Sequence, residues 1–224
     1  MMVFVAAAAM ILAGCDDDDD GSMKRFEVSV SNLTAHQPFS PVALLLHDEG
    51  YTAWRMGEAA STELEELAEG GSPDGFITSA EPDPAVLDTT AGSSPVGMGQ
   101  TSLFEVMAED EAGLFLTAAT MLVNTNDAFT GLNSAAIGEM AEGEEKVFFT
   151  SALDAGTENN SEALVDVPGP AAGGEGYNPA RNDQNIIIVH PGVVSVDDGL
   201  MTSALDESYR WDNPVAKITI RRVE

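Results

Sequence analysis

The patterned part of this chain opens and closes on residues that alternate apolar and polar with a period of two. Phe26, Val28 and Val30 alternate with Glu27, Ser29 and Ser31, and Ala216, Ile218 and Ile220 alternate with Lys217, Thr219 and Arg221. That is the period of a strand with one face buried. Between them, Val42 to Leu46 and Ile186 to Val189 are continuous apolar runs, read as buried strands, and Leu114 to Val123 is a strand-like apolar run that stops at Asn124 and Asn126. Lys146 to Thr150 reads as a further strand. Ser102 to Met107 is another, and Gly113 separates it from the run at Leu114, so the two are expected to form a hairpin with Glu109, Asp110 and Glu111 in its turn. One segment has a different period. Leu64 and Leu67 share a face of a short helix, Glu63, Glu66 and Glu69 occupy its solvated side, Thr62 and Glu65 have capping-box spacing, and Gly70 and Gly71 end it. Ser72 to Gly99 and Val165 to Asn185 are rich in Pro and Gly and read as long connections. A parallel α/β arrangement would need a helix at each crossover, and these are lacking. The expected fold is all-β: a mainly antiparallel, two-layer β-sandwich with one short helix and no internal repeat.

The N-terminal part sets an address. Met1 to Gly14 is uncharged and apolar, and its Val3 to Leu12 run is too short to cross a bilayer but suits the core of a signal peptide, although nothing before Cys15 is charged. Leu12, Ala13, Gly14 and Cys15 resemble a bacterial lipobox, whose cysteine becomes the lipidated first residue. Cys15 is the only cysteine in the sequence, which excludes an internal disulfide and favours an anchor over a nucleophile. Asp16 to Asp20 repel one another into an extended tether. The expected organisation is a lipoprotein-type signal peptide at 1–14, an acidic tether at 15–23 and a single sandwich domain at 24–224, exported and held to a membrane by lipid.

Charge narrows the partners. Nine Lys and Arg against 38 Asp and Glu leave a formal −29. Neutralising nucleic-acid phosphates needs a basic face, so nucleic-acid binding is excluded, as is attraction to anionic headgroups through a basic patch. Repulsion of this size is relieved by salt and reads as a habitat signal before a functional one.

Two strand exits carry the candidate chemistry. LVNTNDAFTGLNS, Leu122 to Ser134, offers Asp127 where an apolar strand ends, and FFTSALDAGTENN, Phe148 to Asn160, offers Asp154 and Glu158. Were the strands neighbours, the loops would form one acidic rim, and carboxylates with loop carbonyls can supply the six to eight oxygens calcium takes. In so acidic a chain, solvated polar loops are the competing reading. These two segments resemble the paired signature of the spondin domain, an extracellular module. The likeness extends to FEVSVSNLTAHQPFSPVALLLH, GEAASTELEELAEGG and PVAKITIRRVE, covering Phe26 to Glu224. It implies a sandwich similar to calcium-dependent phospholipid-binding domains, holding one Ca2+ at one end through Asp127, Asp154 and Glu158; at the last position the family pattern has Asp. The implied role is non-catalytic extracellular recognition or adhesion toward a protein or glycan that the sequence does not identify.

Two other readings compete. His47 and His190 both end apolar strands and would meet in an extracytoplasmic hydrolase, with Asp48 beside the first. Trp54 or Trp211 would stack on sugar in a carbohydrate-binding sandwich. Of these expectations the anchor is tested most directly. Cys15→Ser should move the protein from the membrane fraction to the soluble fraction with its melting temperature unchanged, and an unmodified N-terminus in native material would end the assignment.

Overall fold

A computed structural model describes residues 23–109 and 113–223. The leader, Cys15 and Asp16 to Asp20 lie outside the described residues. In chain order the elements are β1 (Met23–Asn32), β2 (Ala43–His47), α1 (Thr62–Gly70), α2 (Asp74–Ala80), β3 (Val86–Ala91), β4 (Thr101–Glu109), β5 (Phe115–Met121), β6 (Ala128–Ala136), β7 (Glu145–Thr150), β8 (Leu153–Asp154), β9 (Ile188–Val189) and β10 (Ala216–Arg222). Two short 3-10 turns, Val196–Asp198 and Glu207–Tyr209, lie between β9 and β10.

The strands form two antiparallel sheets, a four-stranded one ordered β4-β1-β10-β7 and a six-stranded one ordered β3-β2-β5-β6-β8-β9. The two antiparallel sheets are those of the expected all-β sandwich, but the expected two layers become three, because helices cover the outer face of the larger sheet. The core between the sheets holds Phe26, Val28 and Val30 of β1, Ile218 and Ile220 of β10, Leu44 and Leu46 of β2, and Leu116 of β5. A second core lies on the other face of the larger sheet, where Leu45 of β2, Ala119 of β5 and Phe129 of β6 meet Leu64 and Leu67 of α1 and Phe76 and Ile77 of α2. The larger sheet is thus a middle layer, and its central strands β2 and β5 are buried along nearly their whole length for that reason.

Three expectations need correction. A second helix, α2, and the strand β3 occupy part of the stretch read as irregular, Ser72 to Gly99. No side-chain cap marks the start of α2, and the helix is held by burial of Phe76, Ile77 and Ala80, which local pattern does not register over two turns. Next, β4 and β5 are not a hairpin: β4 pairs with β1 in one sheet, and β5 pairs with β2 and β6 in the other. Their burial explains the separation. β4 alternates, with Val106 and Ala108 inside and Leu103 and Met107 exposed, whereas β5 is buried along nearly its whole length. A one-faced strand belongs to the outer sheet and a two-faced strand to the middle layer. Third, α1 begins one residue earlier than the capping-box spacing implies, with Ser61 as N-cap, its hydroxyl accepting from the Leu64 N–H at 3.1 Å.

Register also fixes two poles. β1 enters at Met23 opposite Glu109 and leaves at Asn32 opposite Ala216, which in turn faces Thr150. Its ten residues span about 30 Å. At the exit pole Asn32 donates to the Gln37 carbonyl, and Gln37 donates to the carbonyl of Asn124, in the loop that follows β5.

Gly131 of β6 faces Ala119 of β5, and a Cβ there would fall 1.7 Å from the Ala118 carbonyl oxygen. Gly131→Ala should therefore cost about 1–3 kcal/mol in denaturant unfolding. Gly97→Ala, whose Cβ would meet the flexible Gln100 side chain at 3.4 Å, should change little.

Candidate cation site

The loop after β5 is wound tightly by its own polar residues. Thr125 donates its hydroxyl to the Leu122 carbonyl at 2.6 Å and accepts from the Ala128 N–H at 3.0 Å. Asn124 donates to the His36 carbonyl and accepts from the Ala171 N–H. These side chains substitute for backbone partners in a buried turn, and they leave Asp127 facing inward with no exposed surface.

β8 brings the second loop to the same place. Asp154 pairs with Ala128, so the two acidic strand exits meet through β6 and β8, although β5 and β7 belong to different sheets. Gly156, at φ +72°, then turns the chain, and the Thr157 and Glu158 N–H groups donate to Asp127 Oδ2 at 2.8 and 3.1 Å, with the Thr157 hydroxyl adding a third bond at 3.1 Å. Asp154 accepts from the Gly156 N–H through Oδ1 and from Asn160 Nδ2 through Oδ2, both at 2.8 Å. The three predicted residues are therefore assembled at one pole. Asp127, Asp154 and Glu158 are 0%, 1% and 5% exposed.

Two further carboxylates join them. Glu162 is 0% exposed, and Glu69, assigned from sequence to the solvated side of α1, is 1% exposed. Glu65 is buried beside it but paired, with Arg181 at 2.6 Å. Glu65 and Glu69 flank the apolar arc of α1, and the long 155–187 connection covers these two carboxylates: the Asn178 N–H donates to Glu69, and Arg181 reaches both Glu65 and the Ala60 carbonyl. Helical spacing gives only a weak signal for this pair, and Glu162, in an aperiodic loop, gives none.

The electrostatics follow from burial. Burial, with Asp154 adding to it, pushes the Asp127 carboxyl up to about 7 against three opposing hydrogen bonds. Burial, then Glu69, raises Glu158 to about 8, and burial raises Glu162 to about 7, opposed by the Val194 N–H and reinforced by Asp154. Glu69 is also raised, chiefly by burial. Five carboxylate oxygens here are buried without a hydrogen-bond partner: Asp127 Oδ1, Glu158 Oε2, Glu162 Oε2, Glu69 Oε1 and Glu65 Oε1, the last on the carboxylate already paired with Arg181. Orphaned acceptors of this kind are costly and call for a proton or a cation. Among the described residues, no group of three or more His, Cys, Asp or Glu side chains stands in an arrangement able to hold a metal as it is. The donor chemistry, all oxygen and partly unpartnered, fits a hard cation once these side chains turn toward a common centre.

The two histidines do not meet. His47 faces Phe115 at the entry pole, donating through Nδ1 to the Asp48 carbonyl and accepting the Thr117 hydroxyl at Nε2. His190 lies at the other pole, its N–H bonded to the Ala152 carbonyl; Nδ1 accepts from Gly192, which leaves Nε2 as the donor to Asn160. Burial pushes its imidazole down to about 4, opposed by Asp154. Trp54 is 8% exposed and packs edge-on to Phe129, and Trp211, partly buried, leans on His190.

Neither the protein-family models nor the curated proteins contain a match to this chain.

With no cation present, the raised carboxyls hold protons that the unfolded chain releases near pH 4. Between about pH 4 and pH 8 the folded state binds more protons than the unfolded state, so its stability falls as pH rises through that window. In chelator the melting temperature should drop from about pH 5 to pH 8, and Asp127→Asn should reduce the drop. Glu142→Gln, which removes an exposed charge near the opposite pole, should leave the slope unchanged.

Proposed function

We propose that this chain is an exported, lipid-anchored, spondin-like domain that binds one calcium ion at the exit pole of its sandwich and serves extracellular recognition or adhesion without catalysis. The observation that carries this reading is the burial of Asp127, Asp154 and Glu158 together, with oxygens of Asp127 and Glu158 left unpartnered. Asp127, Asp154 and Glu158 would hold the ion, and its two positive charges would offset a like-charge cluster that otherwise depends on protons. Three donors already occupy Asp127 Oδ2, so Oδ1 is the oxygen free to turn toward a cation.

Topology gives the address a consequence. The tether would join β1 at Met23, and the acidic loops lie at the other end of that strand, about 30 Å away. A domain anchored through Cys15 would present the calcium pole away from its own membrane, toward a partner in the surrounding medium.

An ion bound only by the folded state raises stability by mass action, about 2.7 kcal/mol at a roughly hundredfold excess over Kd. Calcium should therefore raise the melting temperature well beyond sodium chloride of equal ionic strength, and chelator should reverse the gain. Asp154→Asn should abolish most of the calcium-specific increment while Glu142→Gln preserves it. Equal responses in the two variants would refute the assignment.

A further inference from the structure

The segment that follows Glu158 closes over the cluster by two side-chain bonds. Asn160 donates to Asp154 Oδ2 at 2.8 Å, and two residues later the Glu162 N–H donates at 3.2 Å to Oδ1 of Asn126, the neighbour of Asp127. Glu162 is thereby tied to both acidic loops. Its backbone is left-handed, at φ +51°, a conformation a residue with a Cβ rarely adopts. Its carboxylate is half used: Oε1 accepts from the Val194 N–H at 3.2 Å, while Oε2, fully buried, has no hydrogen-bond partner. Asp154, of its own sign, lies near enough to raise its carboxyl further.

Asp198, at the surface, has both oxygens bonded, with Ser195 on one and Arg210 on the other. Glu162 keeps one buried oxygen, Oε2, without a partner, on a segment tied by hydrogen bonds to both acidic loops. Building on the calcium reading above, we propose that Glu162 is a fourth carboxylate ligand of the same cation, so that one side chain grips the ion through Oε2 and the C-terminal connection through Oε1. The second grip is extended by the Glu162 carbonyl, which accepts the Ala204 N–H at 2.7 Å, and by the bridge between Ala163 and Ser203. Occupancy of the site then fastens 193–205 as well as the loops that supply Asp127 and Asp154. Affinity in such sites follows the number of charged ligands, and loss of one carboxylate weakens it substantially.

The test is Glu162→Gln, which keeps a carbonyl acceptor for Val194 and removes the charge. Calorimetric titration with calcium chloride should give a Kd weakened at least about tenfold relative to the unsubstituted protein. Terbium luminescence lifetimes in light and heavy water should show at least one more metal-bound water in the variant. Hydrogen exchange at Val194 should slow on adding calcium to the unsubstituted protein and respond less in the variant. Unchanged affinity and water count in Glu162→Gln, with Asp127→Asn no longer binding, would overturn the role of Glu162 and leave the calcium site standing. Absence of calcium binding by the unsubstituted protein would overturn both. Should Glu162→Gln fail to fold, Glu162→Asp keeps the charge but shortens the reach; a ligand role predicts weakened binding there too, and wild-type affinity would refute it.

Discussion

Strand β2 has no face to spare. Leu44 and Leu46 fill the space between the sheets while Ala43 and Leu45 lie beneath the helices, and all four are fully buried. Its neighbour β5 is constrained in the same way, with Leu116 and Ala118 on one side and Ala119 on the other. A two-sided strand needs a cover on each face, so the larger sheet requires both the four-stranded sheet and the α1–α2 layer. That three-layer arrangement fixes where β5 ends and therefore where Asp127 points.

The acidic pole is built on this frame against electrostatic preference. Asp127, Asp154, Glu158, Glu162 and Glu69 are each at most 5% exposed in a chain already carrying a formal −29. Backbone amides aimed at one oxygen of Asp127, and the side chain of Asn160 on Asp154, compensate part of the cost. The Glu65–Arg181 pair, 3% and 25% exposed at its side chains, does the same for the adjoining helix and clips the 155–187 connection over it. Unpaired buried charge is among the most destabilising features a domain can contain. Its retention at one pole, where two strand exits and a closing segment converge, is the physical basis for reading that pole as a cation site.

Much of the frame was legible from residue order. The alternations in β1 and β10 and the unbroken ALLLH of β2 identify one-faced and two-faced strands, because side-chain direction in a strand depends only on a period of two. Asp127, Asp154 and Glu158 were legible as strand-exit carboxylates, and the loops do bring them together. Other features were not. The helix α2 is short and uncapped and exists because Phe76 and Ile77 find a surface to cover. Likewise, β4 and β5 look like a hairpin across a short acidic connection, yet their differing burial sends them to different sheets. Glu69 reads as solvated from helical spacing, and only the 155–187 connection buries it.

The sequence by itself determined the class of fold, the order of its main strands and the carboxylates at their exits, since these follow from local periodicity and turn chemistry. Tertiary structure alone decided the pairing of strands into sheets, the opposite poles of His47 and His190, and the enclosure of Glu69 and Glu162. Those outcomes depend on which surfaces find each other across long separations, such as the 36 positions that separate Glu162 from Asn126, and no local pattern encodes a contact whose two halves lie so far apart in the chain.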